Sequence, residues 1–243
     1  MGQKVRILKT DIDNLAQSEV VEEIGVLIAQ KKLAYIVTAN AEITYMAQND
    51  AKMQQIINQA DIVTADGSGV VWAAKELGEP LKERVTGIDL IYAICEKAAQ
   101  EGWQLYLLGA ADGIAAEAAE KLVARYNCRI IGAHNGFLKN PEVNDAVMEE
   151  LRAKAPQVVL VGMGAPRQEY WITEHMHKLP PAVYMGVGGS FDVISGNLKR
   201  APLWMQKMSL EWLYRVIKQP SRFKRVLALP KFMLAVKKQK KQK

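Results

Sequence analysis

Short runs of apolar, β-branched residues alternate along the chain with longer stretches of helical periodicity. Apolar runs bounded by turn residues predict buried strands, and apolar positions recurring every three to four residues predict amphipathic helices. The predicted strands occupy 33–37, 61–65, 103–108, 128–132, 158–162 and 182–187. The predicted helices occupy 18–30, 42–58, 68–77, 88–101, 113–125, 142–154 and 167–178. Because such alternation indicates a parallel sheet covered on both faces, we expect a Rossmann-like, doubly wound α/β domain with a mainly parallel sheet over residues 1–196.

The charge of the chain changes sharply after this domain. Residues 197–243 carry 14 Lys or Arg against the single acid Glu211, whereas residues 1–196 carry 18 Lys or Arg against 25 Asp or Glu. This asymmetry predicts a basic C-terminal appendage with its own anionic partner.

The appendage, residues 197–243, also has an amphipathic pattern. Residues 203–218 form a candidate helix with apolar side chains at helical spacing, and residues 221–243 combine large apolar side chains with many lysines. Basic faces beside apolar residues are typical of helices on an anionic membrane surface. Alternatively, the apolar face of the appendage packs on the core or on another copy of the chain. We expect no nucleic acid, because no recognition module accompanies the charge.

The remaining composition favours the reducing cytoplasm. The first residues lack the apolar segment of a signal peptide, and no apolar run reaches the ~18 residues that a membrane-spanning helix requires. Cys95 and Cys128 lack the spacing of a disulfide scaffold or a zinc site. We therefore expect a cytoplasmic protein, peripheral on the inner face of the cell membrane.

Glycine, asparagine and aspartate follow most of the predicted strands. In a doubly wound sheet the carboxyl ends of the strands form the binding edge, and glycine there permits close backbone approach to a ligand. The loops 162-GMGAPRQ and 186-GVGGS are of this kind, which predicts a nucleotide-sized ligand. A dehydrogenase or methyltransferase is an alternative, but neither loop completes the GxGxxG pattern of dinucleotide-binding folds.

Three polar residues follow the first two predicted core strands. Asp66 comes directly after strand 61–65, so its carboxylate is expected at the binding edge. A helix N-cap or an Asp-Gly turn is the alternative interpretation. Thr38 and Asn40 have the same two interpretations, as caps of the following helix or as ligands of a sugar.

Nine short motifs occur in a fixed order from about residue 33 to residue 230. They are 38-TANAE, 61-DIVTADGSGVVWAAK, 84-RVTGID, 105-LYLLGA, 160-LVGMGAPRQE, 184-YMGVGGSFDVISG, 199-KRAP, 211-EWLYR and 219-QPSRFKR. Together they closely resemble the WecG/TagA/CpsF family of bacterial glycosyltransferases, and within it the TagA branch.

The resemblance implies an inverting, metal-independent transfer without a cofactor. The implied donor is UDP-N-acetylmannosamine, the implied acceptor is N-acetylglucosaminyl-diphospho-undecaprenol, and the product is the linkage unit of wall teichoic acid. UDP-N-acetylmannosaminuronic acid or UDP-glucose as donor is an alternative, and a non-enzymatic membrane adaptor is a more distant one. The family's catalytic aspartate matches Asp66. Its substrate-binding residues match Thr38, Asn40, Gln168, Arg215, Arg222 and Arg225.

The chemistry of such a transfer assigns roles to these residues. The attacking hydroxyl must lose its proton to a base, which Asp66 can supply. Without a metal, backbone N–H groups and arginines must meet the charge of the departing UDP. We therefore expect Gly164, Gly188 and Gly189 to bind UDP, and we hypothesise that membrane docking of the appendage closes the site.

Two further patterns resemble metal sites. Asp11-Ile12-Asp13 matches the Asp-x-Asp sequence with which many sugar-nucleotide transferases hold a divalent ion. Because it precedes the first predicted core strand, we predict a turn there and no metal. The histidines, His134, His175 and His177, lack HExxH spacing, so we expect no zinc site.

Overall fold

The structure is a computed structural model. It describes residues 3–202, 204–205, 208, 211–218 and 227–242. Arg222 and Arg225 therefore lie outside the described residues, as does the side chain of Arg215.

The fold is built on a six-stranded parallel sheet with the strand order β4-β3-β8-β7-β5-β6. A separate antiparallel hairpin precedes it. The hairpin comprises β1 (Lys4–Ile7) and β2 (Thr10–Asp13), and the sheet comprises β3 (Ala34–Ala39), β4 (Ile62–Ala65), β5 (Gln104–Gly109), β6 (Arg129–His134), β7 (Val158–Gly162) and β8 (Val183–Gly186). Each of the six predicted strands is present, and the predicted fold class is confirmed.

Helices cover both faces of this sheet. They are α1 (Gln17–Ala29), α2 (Ala41–Asn49), α3 (Ala51–Asn58), α4 (Ser68–Glu76), α5 (Gly87–Glu101), α6 (Ile114–Tyr126), α7 (Pro141–Lys154), α8 (Arg167–His175), α9 (Ser190–Ile194), α10 (Glu211–Lys218) and α11 (Ala228–Gln242). Alternate strand residues point to opposite faces of the sheet. Val37 belongs to the core cluster that includes residues of α2, α3, α4, α7, α8 and α11, and Ile36 belongs to the cluster that includes residues of α1, α5, α6 and α9.

The hairpin corrects one prediction. Asp11 and Asp13 lie in β2, so the turn predicted there is wrong. Asp13 is buried, and its carboxylate accepts a hydrogen bond of 2.8 Å from the backbone N–H of Val63. Lys4 pairs with the same carboxylate at 3.4 Å. Asp13 therefore attaches the hairpin to β4. This contact joins residues far apart in the sequence, so the local pattern of the four-residue strand does not predict it.

The helix predicted over 42–58 is two helices, α2 and α3, which meet at Asp50. The carboxylate of Asp50 accepts hydrogen bonds from the backbone N–H of Met53 at 3.0 Å and from the hydroxyl of Tyr170 at 2.7 Å. Capping satisfies the first amides of α3, and the Tyr170 contact fixes the break against α8.

Helix α11 packs on α2 and α4. Phe232 and Val236 are fully buried in the core. Gln239 accepts a hydrogen bond of 2.8 Å from the N–H of Leu8 and donates one of 3.1 Å to the carbonyl of Arg6, so it joins the helix to the hairpin. For this part of the appendage, packing on the core is thus the observed alternative. The division at residue 197 stays a prediction.

Helix α10 is the longest described part of the helix predicted over 203–218, of which residues 204 and 205 are also described as helical. Its apolar residues Leu213 and Ile217 are exposed, as are Trp204 and Met208 just before it. No helix among the described residues is both long and apolar enough to cross a membrane.

Candidate active site

A cleft of about 450 Å³ lies along the carboxyl ends of the sheet strands. The loops that follow all six strands of the parallel sheet contribute to it, as the strand order predicts. Seven of the predicted site residues line this cleft, namely Thr38, Asn40, Asp66, Gly164, Gln168, Gly188 and Gly189. The parallel sheet therefore brings together residues that are up to 151 positions apart in the sequence.

Asp66 lies at the carboxyl end of β4 and is half-buried. Its backbone N–H donates a hydrogen bond of 2.8 Å to the carbonyl of Ala39, which extends the pairing of β3 and β4 by one residue. Helix α4 begins at Ser68 with Gly67 as its N-cap, so the N-cap interpretation of Asp66 is wrong. Gly67 has φ 101°, a conformation that side-chain-bearing residues rarely adopt. The turn thus places the Asp66 carboxylate in the cleft wall.

Thr38 and Asn40 both line the cleft, but they make different contacts. The buried hydroxyl of Thr38 donates a hydrogen bond of 2.8 Å to the carbonyl of Gly186 and thereby ties β3 to β8. The side chain of Asn40 accepts one of 3.0 Å from the N–H of Ile43 and caps α2. The capping alternative is therefore observed for Asn40, and sugar binding by either residue stays a prediction.

Gln168 connects the two glycine-rich loops of the cleft. Its amide oxygen accepts hydrogen bonds from the N–H groups of Gly164 at 3.1 Å and Gly188 at 2.9 Å. A Cβ at Gly186 would lie 2.6 Å from the amide nitrogen, so glycine is required there for Gln168 to fit. Since Gln168 itself is 2% exposed, it holds the loops after β7 and β8 at a fixed separation.

A buried carboxyl group lies next to Gln168. Glu169 accepts a hydrogen bond of 2.8 Å from the Gln168 amide nitrogen, and its second oxygen, Oε2, has no hydrogen-bond partner among the described residues. Burial raises the pKa of Glu169, and the nearby charge of Glu42, which lines the cleft, raises it further. A carboxyl group that ionises less readily than an exposed glutamate therefore lies directly behind the cleft residue Gln168.

Two arginines in the cleft were not among the predicted site residues. Arg84 precedes α5, and Arg167 begins α8 and donates a hydrogen bond of 2.8 Å to the carbonyl of Met163. Both lie within motifs that carry the family resemblance, 84-RVTGID and 160-LVGMGAPRQE. Their spacing in sequence does not indicate that they share one cleft. Together they supply positive charge suited to a diphosphate.

Helix α10 forms part of the cleft wall through Glu211, Trp212 and Val216. Arg215 lies on the same helix, directly before Val216. The basic appendage thus reaches the binding edge of the sheet. Whether Arg215, Arg222 and Arg225 contact a substrate stays a prediction.

The described residues contain no group of three or more His, Cys, Asp or Glu side chains placed to hold a metal ion. Asp11 is paired with Arg6 at 2.7 Å on the hairpin. His175 contacts the carbonyl of Trp171 at 2.8 Å within α8 and stacks on its ring. Asp11 and His175 thus have protein partners in the described structure.

Residues 5–243 match the model of the glycosyl transferase WecG/TagA/CpsF family. A protein of Bacillus spizizenii is 38% identical over 85% of this chain and 80% of its own length. A protein of Staphylococcus aureus strain MW2 is 36% identical over 98% of this chain and 93% of its own length. Both are named N-acetylglucosaminyldiphosphoundecaprenol N-acetyl-beta-D-mannosaminyltransferase.

Proposed function

The chain belongs to the WecG/TagA/CpsF family of glycosyl transferases, and we propose that it transfers N-acetylmannosamine from UDP to the 4-hydroxyl of N-acetylglucosaminyl-diphospho-undecaprenol. The product is the linkage unit of wall teichoic acid. The names of relatives that match 85% and 98% of the chain support the donor sugar and the acceptor.

The observation that carries the proposal is the position of Asp66 in the same cleft as the two glycine-rich loops. A transferase of this kind must hold a base and a nucleoside diphosphate within one site. Asp66 follows β4, and the loops follow β7 and β8, so the sheet supplies both parts from one edge.

The reaction exchanges one bond for another at the anomeric carbon of the donor sugar. The acceptor oxygen forms a bond to that carbon while the bond to the UDP oxygen breaks, and UDP leaves with the electron pair. Asp66 takes the proton of the acceptor hydroxyl as attack proceeds. Because attack comes from the face opposite UDP, the configuration at the anomeric carbon inverts.

The charge that develops on UDP requires donors in the cleft. The N–H groups of Gly164 and Gly188 donate to Gln168, so these glycines contribute close backbone approach and a fixed loop position. Arg84 and Arg167 contribute positive charge from the described cleft wall. Stabilisation of the leaving group by these groups needs no metal ion.

The appendage brings the enzyme to its lipid acceptor. Exposed Leu213 and Ile217 on α10 lie beside a segment rich in lysine and arginine, a combination suited to an anionic bilayer surface. Arg215, Arg222 and Arg225 then reach the donor as the docked appendage closes the cleft.

A donor panel tests the proposal directly. The purified chain is incubated with a short-chain lipid-diphosphate-N-acetylglucosamine analogue, with and without EDTA. The donors are UDP-N-acetylmannosamine, UDP-N-acetylmannosaminuronic acid, UDP-glucose and UDP-N-acetylglucosamine. We expect product from the first donor only, undiminished by EDTA, with an inverted anomeric centre by NMR. Transfer of another sugar, or stabilisation against heat by NAD or S-adenosylmethionine and not by UDP, would contradict it.

A further inference from the structure

Phe137 is an exposed aromatic residue in the wall of the cleft. It follows β6, and 61% of the residue's surface is accessible to solvent. When a planar or apolar ligand covers an exposed phenyl ring, apolar surface is removed from water, and this burial favours binding of the ligand. None of the roles assigned so far to the cleft residues uses this ring.

The loop that carries Phe137 is fixed by hydrogen bonds. The N–H of Phe137 donates to the side chain of Asn135 at 3.0 Å, and Asn135 donates to Asp112 at 3.1 Å. The N–H of Gly136 donates to the carbonyl of Ala110 at 2.9 Å, and the N–H of Ala110 donates to Gly162 at 2.8 Å. The ring is therefore carried by a loop joined to the ends of β5 and β7, which preorganises it for a ligand.

Strand order places this ring far from the proposed base. Asp66 follows β4 at one edge of the sheet, and the Phe137 loop lies beside the ends of β5 and β7. At about 4.8 Å per strand, three to four strand spacings separate them, or roughly 15 to 20 Å. The glycine-rich loops after β8 and β7 lie between. This order along the sheet matches the order of sugar, diphosphate and nucleoside in a UDP-sugar.

We propose that Phe137 is the nucleobase platform of the donor site, on which the uracil ring stacks. The inference rests on the proposed function, since it assumes a UDP-sugar whose anomeric carbon lies near Asp66. The acceptor hydroxyl must also reach Asp66, so the acceptor sugar occupies the opposite end of the cleft from Phe137. An aromatic ring stacks on a base through its face and fixes the nucleoside without reading its edges.

The experiment measures the dissociation constants of UDP and of inorganic pyrophosphate by calorimetry. Phe137→Ala should weaken UDP binding about 10-fold and leave pyrophosphate binding unchanged, because only the nucleoside part loses its contact. Phe137→Tyr, which keeps a stacking face, should restore UDP binding to within about twofold of wild type. Val123→Ala is the matched control, because Val123 is an exposed apolar residue on α6 that does not line the cleft.

Three results would overturn this assignment. Unchanged UDP binding by Phe137→Ala, alone or with a raised KM for the acceptor, would remove the ring from the donor site while leaving the proposed function intact. Equal weakening of UDP and pyrophosphate would indicate a displaced loop instead of lost stacking. Failure of the wild-type chain to bind UDP would overturn both this inference and the proposed donor.

Discussion

Arg200 donates two parallel hydrogen bonds to the carboxylate of Asp89, at 2.7 and 2.8 Å. This pair ties the segment after α9 to the first turn of α5. Burial raises the pKa of Asp89, but the hydrogen bonds from Arg200 and Thr86 outweigh it and hold the pKa below its ordinary value. Thr86 and Gly87, at the same helix end, line the cleft. The segment that leads to α10 is therefore anchored at the rim of the candidate site.

A double-mutant cycle measures the strength of this anchor. Asp89→Asn and Arg200→Gln should show a coupling free energy of about 1–2 kcal/mol in urea unfolding, because the pair is bidentate and partly buried. The surface pair Lys97–Glu101 on the same helix is the control, with an expected coupling of about 0.3–0.5 kcal/mol. Equal coupling free energies in the two cycles would show that the Asp89–Arg200 pair stabilises the fold no more than a surface ion pair does.

Asp66→Asn tests the proposed base. The amide keeps the shape of the side chain but cannot take the proton, so turnover should fall by ~10²-fold or more. The exposed Asp145→Asn on α7 is the control and should retain turnover. Circular dichroism and UDP binding should be unchanged in both variants. Near-normal turnover of Asp66→Asn would exclude Asp66 as the base.

Much of this fold could be predicted because the inner strands of its parallel sheet are buried on both faces. Val158–Gly162 is apolar throughout and fully buried, so its sequence differs from every amphipathic helix around it. The parallel sheet then fixes which loops meet, and this is why Asp66 and the loops 162-GMGAPRQ and 186-GVGGS could be placed at one edge from sequence, whereas Gln168 was identified by the family resemblance. The hydrogen bonds that the N–H groups of Gly164 and Gly188 donate to Gln168 could not be predicted from the sequence, because they depend on the geometry of the two loops.

Other features depend on contacts between distant residues. The four residues of β2 form a strand because β1 pairs with them and Asp13 accepts a bond from Val63. The sequence of α11 is typical of a solvated basic segment, because its two buried residues, Phe232 and Val236, lie among many lysines. The structure nevertheless places this helix against the core. Local patterns carry no information about such partners.

Glu169 gives stability a specific pH dependence. Its pKa is raised in the folded state, by burial and then by Glu42, so the unfolded chain releases this proton at lower pH than the folded protein. The contribution of the protonated Glu169 to the free energy of unfolding is fully present below the ordinary glutamate pKa. It is lost as pH rises through the pKa of Glu169 in the folded protein. The stability of wild type should therefore fall relative to Glu169→Gln as pH rises.

Urea unfolding of both proteins from pH 4 to pH 9 measures this difference. The exposed Glu174→Gln on the same helix is the control and should follow wild type at every pH. A constant difference between wild type and Glu169→Gln across this range would exclude a raised pKa.

Phe232→Ala tests whether α11 belongs to the core. Removal of this fully buried ring should lower the free energy of unfolding by about 3–5 kcal/mol. Met233→Ala, at a neighbouring residue that is 42% exposed, should lower it by less than about 1 kcal/mol. Similar losses in both variants would mean that the helix does not pack as described. Deletion of residues 197–243 removes Phe232 as well, so that truncation tests folding and site closure together.

Membrane binding should depend on the exposed apolar face of α10. Ile217→Ser, at a residue 64% exposed, should reduce cosedimentation with vesicles containing anionic lipid several-fold, because this side chain is proposed to enter the interface. Val123→Ser on α6 is the control and should bind as wild type does. Equal binding of both variants would place the membrane contact elsewhere.

The bond between Leu8 and Gln239 joins residues 231 positions apart. During synthesis on the ribosome, α2 and α4 are complete long before α11 emerges, so the apolar surface that α11 covers first meets water. Non-local contacts of this kind form slowly, and the surface left uncovered is open to aggregation. Docking of α11 is therefore the step that removes the apolar surface of α2 and α4 from water.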